Sequence, residues 1–226
     1  DVTDRLALEG RPDTPPISED FSYQASLARR GIYSYLVYPR AERLQSLARR
    51  WPGQFLCYPL DVTDDDALRA AAEDFLARCG TPDVVIANAG ISHGTLNERA
   101  ADLEAVRRVM DTNVFGMAAT FSPFIAAMRR AGRGRLVGIA SVAGIRGLPG
   151  AGAYCASKAA AISYLESLRV ELRGSGVKVV TICPGFIDTP MTQVNRFPMP
   201  FLLPPDVAAR AFAGAIARGV RQAVIP

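Results

Sequence analysis

"DVVIANAG", residues 83–90, is a short apolar run that stops on an Asn-Ala-Gly triplet. Its core of Val84, Val85, Ile86 and Ala87 shows no apolar–polar alternation. A strand with one wet face alternates, whereas a strand covered on both faces does not. The run therefore reads as a strand buried between layers, and its flanks say what covers it. "DDDALRAAAEDFLARC" (64–79) precedes it with Ala and Leu at helical spacing, and a helical stretch from about 98 to 130 follows.

The same alternation extends outward. Upstream lie strand-like "IYSYLVY" (32–38), helical "AERLQSLARR" (41–50) and strand-like "FLCYPL" (55–60). Downstream come "GRLVGIAS" (134–141), a helix from about 153 to 173, "VKVVTICP" (177–184), and a last helix near 205–218 leading into "RQAVIP". Strands and helices in this rhythm form βαβ units with right-handed crossovers. The expectation is α/β: a doubly wound parallel sheet in a single domain over residues 1–226, with ligands at the carboxyl ends of the strands. Residues 1–20, "DVTDRLALEGRPDTPPISED", are rich in Pro and acidic residues and are expected to be irregular.

Composition narrows the function classes. At 226 residues, 49% hydrophobic and 21% charged, the chain can bury a sizeable core and is not disordered. A net charge of +4 with arginines scattered in pairs (29–30, 49–50, 107–108, 129–130) forms no basic block, so nucleic acid is not expected as a partner. Cys57, Cys79, Cys155 and Cys183 make no CxxC pair, and His93 is the single histidine, so no metal site is expected. Reduced thiols suit a cytoplasmic protein. No apolar stretch approaches the roughly 18 residues of a membrane span, and no signal peptide is visible.

"YCASK" (154–158) places Tyr154 and Lys158 four residues apart, on one face of the expected helix. An ammonium near a phenol favours the phenolate, pulls its pKa down from about 10, and allows proton exchange near neutrality. Alone, the pair is also an ordinary helix-surface pair. Ser141, however, ends the strand "GRLVGIAS" and is joined to Tyr154 through the glycine-rich "VAGIRGLPGAG" (142–152). "NAG" (88–90) and Pro184-Gly185, followed by Thr189, close two further strands. In a parallel sheet all of these fall at one edge.

With these residues assembled, the chain resembles the classical short-chain dehydrogenases/reductases. The matching elements are "ARRG" (28–31), "LDVTD" (60–64), "NAG", Asn113 in "MDTN", Ser141, "YCASK" and "PGFIDT" (184–189), so the resemblance spans residues 28–226. It implies a Rossmann-like three-layer sandwich and an oxidoreductase interconverting a carbonyl and an alcohol by hydride transfer. It implies Tyr154 as general acid/base and Lys158 as its pKa-lowering partner and ribose holder. Ser141 would bind the substrate oxygen as charge develops, and Asn113 would hold a relay water. Asp61, Asn88, Gly90, Pro184, Gly185, Ile187 and Thr189 would contact the dinucleotide, with Gly90 allowing close backbone approach.

The cofactor preference follows from the end of the second strand, "LVYPRAER" (36–43). An acidic residue there would select NAD by binding the ribose hydroxyl. This chain has Tyr38 at that position with Arg40 and Arg43 nearby, and a guanidinium suits a phosphate. NADP is favoured, Arg40 is its candidate, and NAD is the alternative. The family's TGxxxGxG loop is missing: Gly10 has no following glycines, Pro12, Pro15 and Pro16 supply no amide donors, and Asp13, Glu19 and Asp20 add negative charge. A rebuilt loop, a cofactor-impaired binding or regulatory protein on the same fold, and an altered amino-terminal sequence all account for this. The extended, nucleotide-sugar branch of the family needs a larger carboxyl-terminal domain than this chain has. The apolar "MTQVNRFPMPFLLPP" (191–205) points to an apolar small-molecule carbonyl or alcohol substrate, with core packing as the alternative; His93 reads as an incidental loop residue. By family analogy, the helices at about 98–130 and 154–173 pair between subunits in a homodimer or homotetramer.

Overall fold

Strands form where the apolar runs stand and helices where the 3.6-residue period stands. The computed structural model describes residues 34–226 except 51, 97, 194 and 196. The proline-rich start, Gly10 and "ARRG" (28–31) lie outside the described residues. The described residues divide into two compact units, each with its own parallel sheet.

One unit comprises the described residues up to Asp61, together with Phe186–Ala217 and Pro226. Strand β1 (Ser34–Val37), helix α1 (Ala41–Arg50) and strand β2 (Phe55–Tyr58) form a parallel βαβ, in register from Ser34↔Phe55 to Val37↔Tyr58. The short α6 (Pro190–Gln193) and the longer α7 (Pro205–Arg218) follow later in the chain. Along α7, Ala208, Ala209, Phe212, Ala215 and Ile216 are buried, one apolar stripe at helical spacing. An isolated bridge joins Ile187 to Leu203.

The other unit, Val62–Gly185 with Arg218–Ile225, carries the strand ends singled out in the sequence. Its sheet has the order β3 (Val84–Ala87), β4 (Gly134–Ile139), β5 (Val177–Pro184), β6 (Gln222–Ile225), and all pairs are parallel. Consecutive residues Leu136 and Val137 are both buried, as are Ile182 and Cys183, so these central strands are covered on both faces. Helix α2 (Asp65–Cys79) opens on Asp64, whose carboxylate accepts from the Ala67 amide at 3.0 Å. Gly138 lets α5 (Gly152–Glu171) close on β4: a Cβ there would stand 2.4 Å from Leu165 Cδ1.

The long helix predicted over 98–130 is interrupted. It runs as α3 (Asp102–Met110), a π-turn (Asp111–Phe115) and α4 (Gly116–Ala131). At the π-turn the Gly116 amide bonds Asp111 O, five residues back. Such a turn takes up one extra residue and often marks a functional position. Here it carries Asn113, whose side chain is wholly buried. Among the described residues no helix is long and apolar enough to cross a membrane.

Candidate active site

Strand β4 delivers Ser141. The residue is extended (φ −170°, ψ 157°), and its Oγ caps the short turn Val142–Gly144 by accepting from the Ala143 amide at 3.1 Å. The same hydroxyl donates to Pro184 O, at the end of β5, at 3.4 Å. The turn then passes so close to α5 that a Cβ on Gly144 would lie 2.7 Å from the Lys158 carbonyl carbon and 2.8 Å from its oxygen. A side chain at Gly144 would therefore hold the helix off.

Helix α5 starts on Ala151, which has no side chain to cap it. Thr95, from the loop after β3, substitutes: its amide donates to Gly150 O at 2.9 Å and its Oγ1 accepts from the Ala153 amide at 3.4 Å. The borrowed cap falls beside the first turn, which carries Tyr154.

Tyr154 and Lys158 meet as their spacing requires, with Lys158 Nζ 5.7 Å from the centroid of the phenol ring. The lysine is only 3% exposed, and Nζ donates to Ile139 O at 2.8 Å. Burial lowers its pKa from 10.5 to about 8, against an opposing pull from the neighbouring Cys183. The tyrosine departs from the sequence expectation. Burial raises its pKa, a hydrogen bond with Ser141 partly offsets this, and Cys155 adds to the rise. The physical reason is aim and desolvation: the ammonium hydrogen-bonds a backbone carbonyl of β4, while the phenol loses water. In this arrangement the phenol keeps its proton.

Asn113 is hydrogen-bonded at both ends of its amide. Oδ1 accepts from the Ile91 amide at 2.8 Å, while Nδ2 donates to Ile91 O at 2.9 Å and to Ser157 Oγ at 2.9 Å. Gly90 completes the cluster, since a Cβ there would be 3.3 Å from Lys158 Nζ and 3.4 Å from Asn113 Oδ1. Asn88 is half-buried just beyond β3. The Gly185 amide donates to Ile225 O at 2.7 Å, fixing the end of β5 against β6. One unit thus gathers Asn88, Gly90, Asn113, Ser141, Tyr154, Lys158, Pro184 and Gly185.

Arg40, Asp61, Ile187 and Thr189 belong to the other unit. The exposed Arg40 guanidinium hydrogen-bonds the Tyr38 hydroxyl and stands 5.1 Å from the centroid of that ring. Asp61 is exposed, and Ile187 is buried. The Thr189 amide donates to Thr192 Oγ1 at 3.0 Å. His93 is exposed in the loop after β3. Sequence reasoning passed over Ser157 and Thr95. Ser157 lay inside the quoted "YCASK", but only its burial and its partner 44 residues away make it notable.

Chemically, the cluster offers a protonated phenol, a hydroxyl donor and a buried ammonium at the carboxyl ends of parallel strands. Such a set can give a proton to an oxygen and stabilise the charge that develops there.

A family model described as short chain dehydrogenase matches residues 22–198. An uncharacterized oxidoreductase of Myxococcus xanthus is 42% identical over 203 residues, which are 88% of this chain and 80% of that protein. The 3-oxoacyl-(acyl-carrier-protein) reductase FabG of Chlamydia muridarum is 40% identical over 134 residues, 59% of this chain and 54% of its own length. A short-chain dehydrogenase from Streptomyces avermitilis superimposes with a TM-score of 0.80 at 26% identity, covering 89% of this chain and 82% of that one.

Proposed function

Because the chain belongs to the short-chain dehydrogenase family, with its Rossmann-like α/β fold and oxidoreductase activity on CH–OH and C=O groups, we propose that it reduces a carbonyl with NADPH, using Tyr154 as the proton donor. The observation that carries this reading is the juxtaposition of buried Ser141 and Lys158 with half-buried Tyr154.

The residues fit a nicotinamide dinucleotide. Gly90 leaves open the space beside Lys158 Nζ that a Cβ would occupy. Of the ammonium's three donors, one is directed to Ile139 O, leaving donors for ribose hydroxyls. Asn88, Gly90, Pro184 and Gly185 would contact it, and Arg40 is the candidate that would favour NADP over NAD. The family resemblance assigns Asp61, Ile187 and Thr189 to the same cofactor.

When bound, NADPH supplies a hydride to the carbonyl carbon. Tyr154 gives its proton to the carbonyl oxygen, and its burial, which holds the phenol protonated, suits this direction. The Ser141 hydroxyl donates to the same oxygen as negative charge grows. Lys158 stabilises the phenolate that remains, and Asn113 holds the water through which the proton is restored. The substrate class we favour is a 3-oxoacyl thioester, on two grounds. One relative is a 3-oxoacyl-(acyl-carrier-protein) reductase, and apolar side chains are exposed on the loop after β3 (Ile91, Leu96) and on the segment joining Ser141 to Tyr154 (Ile145, Leu148). The same reading has the chain work in the cytoplasm as a homodimer or homotetramer, supported by exposed Leu103, Phe115 and Val170 on α3, the π-turn and α5.

The test follows NADPH oxidation with acetoacetyl-N-acetylcysteamine as substrate. Tyr154→Phe should lower turnover by about 100-fold to 10,000-fold while NADPH still binds, as read by its fluorescence. Turnover in that variant within about tenfold of the parent would refute the role, and absence of NADPH binding to the parent would refute the function.

A further inference from the structure

Ser157 lies between Tyr154 and Lys158 in the chain and has no exposed surface. Its hydroxyl donates to Tyr154 O at 2.7 Å, the back-bond of a helical serine to the carbonyl three residues earlier. That bond would satisfy the hydroxyl by itself. The oxygen nevertheless also accepts from Asn113 Nδ2 at 2.9 Å. Asn113 passes the connection on to both backbone groups of Ile91, the residue that follows Gly90.

The result is a buried relay of hydrogen bonds through three segments: the loop after β3, the π-turn and the first turn of α5. Each member has a partner at every step, the condition under which a buried polar network holds one geometry. Alanine at 157 would leave one Nδ2 proton of Asn113 facing no acceptor among these groups. The amide would then have a reason to rotate or admit water. Its Oδ1 is the atom that a Cβ on Gly90 would touch together with Lys158 Nζ, so movement there is movement beside the lysine.

We propose that Ser157 is a positioning residue: it locks the Asn113 amide to the first turn of α5 and so sets where Tyr154 and Lys158 stand relative to the strand ends. This rests on the proton-transfer role proposed for Tyr154. The residue itself touches neither substrate nor dinucleotide. It acts on the chemical step through Tyr154, Lys158 and Asn113.

The experiment uses the full chain with NADPH and acetoacetyl-N-acetylcysteamine. S157A should lower kcat about tenfold to a hundredfold, the scale of a small misplacement, while KM and the NADPH Kd stay within about threefold. S157T, which keeps the hydroxyl, should recover kcat. A kcat for S157A within about threefold of the parent overturns the proposal, as does a folded S157T that recovers nothing. If S157T does not fold, a double-mutant cycle with Asn113→Ala replaces it. S157A should then cost little in the Asn113→Ala background, and full additivity overturns the proposal. A readout without substrate separates this inference from the function it rests on. The Ile91 amide, held by Asn113 Oδ1, should exchange with deuterium faster in S157A. Unchanged exchange overturns the relay even if the parent is active. A parent without turnover overturns the reductase function, and the Ile91 exchange still decides the relay.

Discussion

Replacing Lys158 with Met should remove a rise in stability on the alkaline side that the lysine imposes. The ammonium is almost wholly buried, and its pKa falls from 10.5 to about 8. An unfolded lysine titrates near its ordinary value, so between about pH 8 and pH 10.5 the unfolded chain binds the proton that the folded chain has lost. Unfolding free energy therefore rises with pH across that window. The destabilising charge is present in full below the folded pKa and is gone above the unfolded one. At about 1.4 kcal/mol per pKa unit, the lysine's contribution should grow by about 2–3 kcal/mol between pH 7 and pH 10. Other groups act in the opposite sense. Cys57 and Cys183 have thiol pKa values raised from 9.0 by burial, so they lose stabilising protonation as pH climbs. The difference between parent and Lys158→Met isolates the lysine from Cys57. Losing the ammonium would also deepen the Cys183 effect, because Lys158 lowers that thiol's pKa, so the difference widens further. Urea unfolding followed by far-UV circular dichroism, with reductant, at both pH values measures it. A difference that changes by less than about 0.5 kcal/mol between them would refute the buried-charge account.

Two other substitutions probe how the site is held. Gly144→Ala forces a Cβ to within 2.8 Å of the Lys158 backbone, which cannot retreat without moving the helix. The cost should be about 1–3 kcal/mol, a Tm loss of about 2–4 °C per kcal/mol, and an unchanged melting curve would contradict it. Arg169→Met deletes hydrogen bonds from Nε to Val179 O at 3.1 Å and from Nη2 to Thr181 Oγ1 at 2.8 Å and Arg221 O at 2.7 Å. It should cost about 2 kcal/mol with NADPH affinity intact, so calorimetry showing no loss, or fluorescence showing lost binding, would count against a purely structural role.

Much of the fold was legible in the chain. Val84–Ala87 and Val177–Pro184 both became parallel strands; beyond Lys178 the second is buried on both faces, whereas Val84 and Ile86 of the first are only half-buried. The pairing of Tyr154 with Lys158 was equally legible, because i,i+4 geometry is a property of the helix itself. The π-turn at Asn113 was not, since it goes with an amide that binds the Ile91 backbone 22 residues away. The direction of the Tyr154 shift was misread for a related reason. Charge proximity can be counted along a helix, whereas desolvation depends on what packs around the phenol.

The sequence by itself determined which segments are strands and helices, that the strands run parallel, and which polar side chains end them. Those properties follow from local periodicity and from the short reach of the chain between neighbours. Only the tertiary structure decided what those side chains do to each other. It turned Lys158 toward Ile139 O, brought Thr95 to cap a helix 58 residues on, and placed Ser157 under Asn113. Hydrogen bonds and burial act over a few ångströms of space, and no spacing rule along the chain encodes which distant atoms will fill them.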